Sequence, residues 1–358
     1  MATSESLSSP KVVFGVQHLS ESGIQKIPEV FVRPPSERPN FKGDADVVVE
    51  IPVIDMSELL HSSTKEKAMA MLDKACKEWG FFQLVNHGVN SELMSRMRET
   101  WIDFFKLSVE EKRKYAPDPI TNEGYGSRVG VSKKQTSDWG DYFFLHCFPE
   151  KARNQEKWPS LPPSLRELIV EYSEQVYKLS QTILKMFSIN LGLEESYIPD
   201  AFGGDELVAS MQANYFPKCP QPDLTFGLSR HSDPGGVTFL IPDYNVKGLQ
   251  VRRGDKWITI NPINGAFIVN LGDKLEIISN AIYKSVEHRV FVNSLQERFS
   301  LVIFFNPKYD VVNKPADELV TEDRPALYLP TTFQDYKKYI MIKGAQGKSE
   351  LQVLQKKN

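Results

Sequence analysis

Apolar residues recur at three- and four-residue spacing in several stretches of the N-terminal half, a pattern that predicts amphipathic helices. The stretches are Thr64–Glu78, Ser91–Phe105 and roughly Ser164–Leu191. Between them, the β-branched run Ile51–Met56 and the apolar run Phe81–Val85 predict two strands. The N-terminal half is therefore expected to be mainly helical.

The pattern changes after Gly203, where short apolar and β-branched runs alternate with turn residues. These runs predict strands over Met211–Phe216, Val237–Ile241, Leu249–Arg252, Trp257–Ile260, Ala266–Asn270, Lys284–Asn293 and Phe299–Phe305. Several short strands at this spacing are typical of a sandwich or a barrel-like jelly roll. A last helical stretch, Phe333–Ile342, ends before Gly344.

These elements predict a mixed α+β protein with four parts. The first part is an N-terminal arm over residues 1–48. From Pro34 onward it contains several prolines, which predict an extended segment. A mainly helical region follows over residues 49–205. The β core is expected over residues 206–310, and a C-terminal helical lid and tail over residues 311–358.

Composition narrows the class of protein. The 43 Lys and Arg residues nearly balance the 46 Asp and Glu residues, so no basic surface favours nucleic acid. Three widely spaced cysteines exclude a disulfide scaffold and a cysteine-based zinc site, and they fit a reducing compartment. Neither a secretory signal nor an apolar run long enough to span a bilayer is visible. We expect a cytoplasmic globular protein with no membrane partner.

Two histidines and one aspartate form a candidate metal site. His231 and Asp233 follow a predicted strand and turn, and His288 lies within a later predicted strand. Two imidazoles and one carboxylate on one face suit non-haem Fe(II) and leave three coordination positions open. Zinc accepts the same three ligands, so a zinc hydrolase is an alternative.

Arg298 and Ser300 favour the iron site over the zinc site. Both lie on one predicted strand, two residues apart, so their side chains face the same side. A 2-oxo acid can chelate iron through its keto oxygen and one carboxylate, and its far carboxylate then needs a planar cation. Arg298 with Ser300 provides that clamp, whereas a zinc hydrolase would have no use for the pair. The other histidines, His18, His61, His87 and His146, are interpreted as structural.

Several motifs occur together in this chain: residues 51–55 and 78–89 in the N-terminal half, and Asn214–Pro220, His231-Ser232-Asp233 and Arg298-x-Ser300 in the C-terminal half. Through them the chain resembles the plant Fe(II)/2-oxoglutarate-dependent dioxygenases, from roughly Val16 to Lys348. It implies a double-stranded β-helix (jelly-roll) core flanked by N-terminal helices and a C-terminal helix. It also implies Fe(II) as cofactor, 2-oxoglutarate and O2 as co-substrates, and ascorbate as an optional reductant.

Within that family the chain is most similar to jasmonate-induced oxygenases and leucoanthocyanidin-dioxygenase-like proteins, through residues 123–128, 138–145, 231–236 and 283–289. Three positions depart from those patterns. Phe216 stands where the family usually has a tyrosine that contacts 2-oxoglutarate, while Asn214 is retained as a 2-oxoglutarate contact. Gln212 and Met341 stand where jasmonate-oxidising members have arginines that hold a carboxylate. Flavonoid-processing members carry Lys and Glu at the positions of Gln212 and Asn306.

The resemblance also implies a substrate pocket that is aromatic-lined and mostly neutral, which favours a flat or apolar substrate. The residues expected to face it are Tyr142, Phe144, Gln212, Phe304, Asn306, Tyr336, Ile340 and Met341. No catalytic residue is expected beyond the metal ligands.

The sequence therefore predicts a monomeric oxygenase that hydroxylates or desaturates a small, largely apolar or aromatic plant specialised metabolite, with release of succinate and CO2. Jasmonic acid hydroxylation and flavonoid oxidation are alternatives within the same chemistry. A jelly-roll protein that binds a ligand without turnover is the alternative outside enzymology.

Overall fold

The computed structural model of the chain describes residues 15–39, 48–127, 136–343 and 348–355. Its α-helices are α1 Val16–Glu21, α2 Met56–Leu60, α3 Lys65–Glu78, α4 Ser91–Phe105, α5 Val109–Arg113, α6 Leu165–Asn190, α7 Tyr197–Ala201, α8 Asp273–Ile278, α9 Phe333–Lys343 and α10 Ser349–Val353. Its strands are β1 Val48–Val49, β2 Val53–Asp55, β3 Phe81–Val85, β4 Gly124–Ser127, β5 Asp141–Phe148, β6 Val208–Phe216, β7 Leu228–His231, β8 Val237–Ile241, β9 Leu249–Arg253, β10 Lys256–Ile260, β11 Phe267–Leu271, β12 His288–Val290, β13 Arg298–Asn306, β14 Val312–Asn313 and β15 Thr331–Thr332.

Two sheets form the jelly-roll core. The larger has the strand order β2-β3-β11-β8-β13-β6-β5-β4, and the smaller has the order β1-β10-β9-β12-β7. Neighbouring strands are antiparallel except for the pairs β1–β10 and β2–β3. The mixed α+β class and the jelly-roll architecture predicted from the sequence are confirmed.

Most of the buried apolar residues form two clusters, one between the helices and the larger sheet and one between the two sheets. One hydrophobic cluster joins α3, α4 and α6 to the larger sheet and includes Trp101, Phe143 and Phe187, all fully buried. A second cluster brings together residues of both sheets, including Phe216, Val251 and Val302. The helices thus cover one face of the larger sheet and leave its other face to build the site. None of the described helices combines the length and apolar character that a bilayer crossing requires.

The N-terminal segment differs from the predicted extended arm. Within the described residues 15–39 the chain forms α1 and two short 3-10 turns, Glu29–Phe31 and Pro35–Glu37. The first turn of α1 is fixed because the backbone N–H groups of Val16 and Gln17 both donate to the carboxylate of Asp141. This contact spans more than a hundred residues, so local sequence patterns do not reveal it.

The predicted strand over Lys284–Asn293 is also too long, because only His288–Val290 is in a sheet. The residues before it bond to helices instead: the Lys284 N–H donates to the Cys76 carbonyl, and the Ser285 N–H donates to the Glu276 carboxylate. The three cysteines are buried and unpaired, as the absence of a disulfide framework predicts.

Candidate active site

His231, Asp233 and His288 converge at the end of the smaller sheet. His231 ends β7, His288 begins β12, and these two residues face each other across the antiparallel pair. Asp233 Oδ1 lies 3.5 Å from His231 Nε2 and 3.6 Å from His288 Nε2. All three ligand atoms lie within 4.8 Å of one another, a spacing that one metal ion can bridge. The donor set of two imidazoles and one carboxylate fits Fe(II).

Backbone carbonyls orient both imidazoles. His231 Nδ1 lies 2.8 Å from the Ser229 carbonyl oxygen, and His288 Nδ1 lies 3.2 Å from the Val286 carbonyl oxygen. A hydrogen bond at Nδ1 fixes the tautomer and directs Nε2 towards a metal. Burial and the neighbouring His231 lower the pKa of His288 to about 4, so its ring is neutral, as a ligand must be.

Asp233 is oriented by two further side chains. Its Oδ2 accepts a hydrogen bond of 2.6 Å from the Thr238 hydroxyl and one of 2.8 Å from the Asn270 amide. These bonds occupy one carboxylate oxygen and turn the other towards the histidines. Burial alone would raise the pKa of Asp233, but the adjacent His288 and His231 and the Thr238 hydroxyl outweigh it and hold the pKa below its usual range.

Close backbone packing fixes the loop after Asp233. A Cβ added to Gly235 would lie 1.6 Å from Asn306 Oδ1, and one added to Gly272 would lie 2.4 Å from the Gly235 carbonyl oxygen. At Gly272 the obstacle is backbone, so only glycine fits there, whereas at Gly235 a larger residue would require the Asn306 side chain to move. The Asp273 N–H also donates to the Asp233 carbonyl, at 2.8 Å. The loop is thus held against α8 and against the larger sheet.

Arg298 is a buried cation with unsatisfied donors. Its Nε and Nη1 have no hydrogen-bond partner among the described residues. Water cannot supply one either, because Arg298 is only 4% exposed. Burial lowers the pKa of Arg298 to about 10, and nearby Asp243 opposes that shift. Unpaired buried donors are rare and costly, so this guanidinium fits an anionic ligand.

Two polar side chains adjoin Arg298 on the same wall. Ser300 follows it on β13 and pairs in register with Asn214 on β6, whose amide lies 3.5 Å from the Ser300 hydroxyl. The ring centroid of Phe216 lies 5.5 Å from the guanidinium carbon of Arg298. An aromatic ring without a hydroxyl therefore adjoins Arg298 at the position where similar sequences usually have a tyrosine. The wall offers a fork of N–H donors, one hydroxyl and one amide.

A cavity of about 1350 Å³ connects the triad with this wall. Of the residues expected to contact the substrate, Phe144, Gln212, Phe304, Asn306 and Ile340 line it. That these five residues contact a substrate remains a prediction.

Tyr142, Tyr336 and Met341 are not among the described residues that line the cavity. Tyr142 lies on the same face of β5 as Phe144, half-buried and outside the cavity lining. Tyr336 was expected at the cavity, but its hydroxyl donates instead to buried Asp273 at 2.7 Å, so it anchors α9 to α8. Met341 belongs to α9, but its side chain falls outside the described residues.

His87 and His146 form hydrogen bonds away from the proposed metal site. His87 Nδ1 accepts a hydrogen bond from the Val89 N–H, while its Nε2 lies 2.9 Å from the Gly265 carbonyl oxygen. Burial lowers the pKa of His87, although the Gly265 carbonyl opposes that shift. His146 is buried against the Ser210 hydroxyl at 2.9 Å.

Sequence reasoning missed several residues that support the site. Thr238 and Asn270 orient Asp233, and their only sequence signal is a polar side chain inside an apolar strand. Arg33 reaches the site from the N-terminal segment, donating to the Asp138 carboxylate and the Ser229 hydroxyl. Lys337 lines the cavity from α9, and nothing in its neighbouring sequence distinguishes it from Lys338.

Comparison with known proteins agrees with this geometry. A family model described as the 2OG-Fe(II) oxygenase superfamily matches residues 208–307. A second model, described as the N-terminal region of non-haem dioxygenases in morphine synthesis, matches residues 51–164.

Individual relatives cover nearly the whole chain. Jasmonate-induced oxygenase 4 of Arabidopsis thaliana is 51% identical over 347 residues, which are 96% of this chain and 98% of that protein. Leucoanthocyanidin dioxygenase of Malus domestica is 37% identical over 352 residues, 95% of this chain and 98% of that protein. The crystal structure of JOX2 in complex with 2OG, Fe and JA superposes with a TM-score of 0.90 at 48% identity, covering 97% of this chain and 99% of that one.

Proposed function

The chain belongs to the 2OG-Fe(II) oxygenase superfamily and is a 2-oxoglutarate- and Fe(II)-dependent oxygenase; from this premise we propose that it hydroxylates or desaturates a small, largely apolar or aromatic plant specialised metabolite, releasing succinate and CO2. The observation that carries the proposal is that three converging ligand atoms share one cavity with the unsatisfied donors of Arg298.

We assign His231, Asp233 and His288 to the iron, and Arg298, Ser300 and Asn214 to 2-oxoglutarate. Fe(II) at that position supplies the activation of O2 that oxidises a C–H bond. The protein's own contribution is orientation: the Ser229 and Val286 carbonyls hold the imidazoles, and Arg298 receives the far carboxylate of the co-substrate through its planar fork.

Aromatic and aliphatic side chains on the cavity wall support an apolar substrate. Phe144, Phe304 and Ile340 present hydrocarbon surface to the cavity. A cavity of about 1350 Å³ exceeds the usual range for small-molecule sites, roughly 300–1,000 Å³, so it has room for both the co-substrate and a substrate.

Jasmonic acid is the second candidate substrate. The identity of 46–51% to four jasmonate-induced oxygenases of Arabidopsis thaliana favours it. Gln212 in the cavity lining argues against the same mode of binding, because an amide cannot neutralise a carboxylate. Flavonoid oxidation has weaker support, from relatives at 37–39% identity.

Succinate formation tests the proposal. The purified protein is incubated with Fe(II), ascorbate, 2-oxoglutarate and a panel of plant metabolites that includes jasmonic acid and flavonoids, and substrate-dependent succinate is measured. The Asp233→Ala variant should abolish it, and Asp310→Ala, at an exposed position, should not. Ligand binding without succinate formation by the native protein would instead identify a binding protein.

We further propose a cytoplasmic monomer. The free, buried cysteines fit a reducing compartment, and the sequence shows no long apolar heptad stretch that would indicate an assembly. Light scattering on the purified protein should give a mass close to 40.8 kDa, and a mass twice that value would contradict the monomer.

A further inference from the structure

Helix α8 begins against the loop that carries two of the proposed iron ligands. The backbone N–H groups of residues 272–274 donate to carbonyl oxygens within residues 233–236, over 2.6–2.8 Å. Asp273, the first residue of α8, is only 1% exposed. A carboxylate is this deeply buried only when several donors satisfy it, so its donors show which segments it holds together.

The carboxylate of Asp273 joins the iron-ligand loop to α9. Its Oδ2 accepts a hydrogen bond of 3.2 Å from the hydroxyl of Ser232, the residue between the two ligands of this loop. The same oxygen accepts one of 2.7 Å from the hydroxyl of Tyr336 on α9. Because one oxygen serves both hydroxyls, a movement of either changes the bond that the other can make.

The other oxygen of Asp273 reaches the segment that leads to the third ligand. The hydroxyl of Ser285 donates to Oδ1 at 2.7 Å. The next residue, Val286, provides the carbonyl oxygen that lies 3.2 Å from His288 Nδ1. The Asp273 carboxylate therefore borders the segments that position all three proposed ligands.

Helix α9 is the element that this carboxylate connects to the ligands. Tyr336 is 2% exposed, and Ile340, one turn later on α9, lines the cavity. A second bond runs from Lys274 Nζ on α8 to the carbonyl oxygen of Thr332, directly before α9, over 3.3 Å. Helix α8 thus holds the iron-ligand loop on one side and the cavity-lining helix on the other.

We propose that Asp273 is a positioning residue that couples the iron ligands to α9. A bound metal fixes the loop, and Ser232, Asp273 and Tyr336 transmit this order to the helix. Because coupling between two sites is reciprocal, the anchored helix raises the metal affinity by the same factor. This proposal rests on the proposed function, because it starts from the assignment of the three ligands to iron.

Hydrogen–deuterium exchange of α9 measures the coupling without turnover. Exchange of residues 333–343 is compared before and after saturation with Mn(II) alone, so that 2-oxoglutarate makes no contribution. In the native protein the metal should slow this exchange about threefold, which lies within the effect of one hydrogen bond.

Tyr336→Phe should abolish this slowing, because it removes the hydroxyl that bonds to Asp273. Tyr328→Phe is the matched control. The Tyr328 hydroxyl also donates to a buried acid of α8, Glu276, over 2.7 Å, but Tyr328 lies outside α9. This control should therefore keep the slowing of the native protein.

Ser232→Ala cuts the link at its other end and leaves the bond from Tyr336 to Asp273 in place. Without metal, α9 should exchange as in the native protein, and Mn(II) should slow it less than half as much. This variant separates the coupling from local unfolding of α9. Slowing of the native magnitude in either variant, or no slowing in the native protein, would overturn the proposal.

Anaerobic titration with Fe(II) measures the reciprocal effect. Asp273→Asn keeps the shape but replaces one acceptor oxygen by a donor, and it should weaken Fe(II) binding about tenfold. Tyr336→Phe should weaken it about threefold. The double variant should bind Fe(II) as Asp273→Asn does, because Tyr336 acts through Asp273. Losses that add in the double variant would contradict this link.

The two proposals fail in different ways. Metal-dependent slowing of α9 without succinate formation would remove the proposed function and leave the role of Asp273 intact. Succinate formation together with α9 exchange that does not respond to the metal would do the reverse. Thermal melts of each variant establish that it is folded before exchange and binding are compared.

Discussion

Single side chains outside the metal triad set the direction of its donor atoms. Thr238 is the clearest case, since its hydroxyl holds the carboxylate oxygen that does not face the histidines. We predict that Thr238→Val, which keeps the side-chain shape, weakens Fe(II) binding about 10- to 100-fold. Anaerobic metal titration measures this, and the isosteric change Thr182→Val on half-buried Thr182 of α6 is the control. Equal affinities of both variants would refute the role of Thr238.

Adding a single hydroxyl group at Phe216 provides a second test, which concerns the binding of 2-oxoglutarate. Its ring lies beside Arg298, and a Cβ added to Gly140 would come within 2.9 Å of that ring. Phe216→Tyr adds a hydroxyl near the proposed 2-oxoglutarate position. One additional hydrogen bond of about 1 kcal/mol should lower the KM for 2-oxoglutarate about fivefold. Phe148→Tyr, whose ring stacks on Tyr177 outside the cavity lining, should leave that KM unchanged; a KM that rises in the Phe216 variant would contradict the prediction.

Sequence could single out candidate residues where a chemistry demands specific side chains. His231, Asp233 and His288 were candidates because a metal needs such donors, and Arg298 with Ser300 because strand alternation puts both on one face. The structure brings all five to one cavity, and their roles stay predictions. Tyr336 shows the limit: its place on α9 was consistent with a lid, yet its hydroxyl is taken by Asp273, a contact that spans sixty-three residues. Sequence patterns do not encode a contact between residues so far apart along the chain.

At the scale of elements, amphipathic periodicity predicted the helices that bury one face and expose the other. Helices α3, α4 and α6 begin and end within one residue of the predicted bounds. Helix α8 was not predicted, because its six residues are too few to show an amphipathic period. Strand β5 was missed because its sequence does not alternate strictly between apolar and polar positions.

The N-terminal segment Glu29–Pro39 is an element whose role depends on one residue. Arg33 connects it to Asp138 and Ser229, and the carbonyl of Ser229 accepts the hydrogen bond that orients His231. Replacing Arg33 by methionine leaves the Asp138 carboxylate without its cation in a largely buried position. We predict a loss of about 3 kcal/mol in the free energy of unfolding and weaker Fe(II) binding.

Denaturant unfolding and metal titration measure these two effects of Arg33→Met. Arg38→Met in the same segment is the control, because Arg38 is exposed and its Nε donates to the backbone carbonyl of Arg33, which the substitution of the Arg33 side chain leaves in place. The same effect from both substitutions would mean that the segment contributes packing alone and does not position His231.

At the scale of the whole molecule, the two sheets each supply half of the site. His231 and His288 belong to the smaller sheet, whereas Arg298 and Ser300 belong to the larger one. A metal ion together with 2-oxoglutarate would therefore link the sheets and stabilise the folded state. At a ligand concentration of 100 times Kd, we predict a gain of about 2.7 kcal/mol.

Thermal unfolding measures this gain. Mn(II) with 2-oxoglutarate should raise the Tm by a few degrees, and EDTA should reverse the shift. The Asp233→Ala variant should show no shift with either addition. A shift produced by 2-oxoglutarate alone and unaffected by EDTA would place the co-substrate away from the triad.

The general architecture could be predicted because short strands in succession leave few alternatives to a jelly roll. The sequence did not reveal that β2, β3, β4 and β5, all from the N-terminal half, complete the larger sheet. Their pairing partners lie up to nearly two hundred residues away along the chain, and only the folded core selects them. The cavity wall built by β5 was therefore beyond prediction from local patterns.

Helix α9 lies close to the carboxyl terminus and contributes none of the proposed iron or 2-oxoglutarate ligands. Its attachment includes the bond from Tyr336 to Asp273, and a later bond from Lys348 to Glu276 secures the tail that follows. Substitutions on α9 can therefore change which substrates the cavity admits while the residues proposed to bind iron and 2-oxoglutarate stay as they are. Proteins that differ mainly in this helix would then share one oxidation chemistry and act on different molecules.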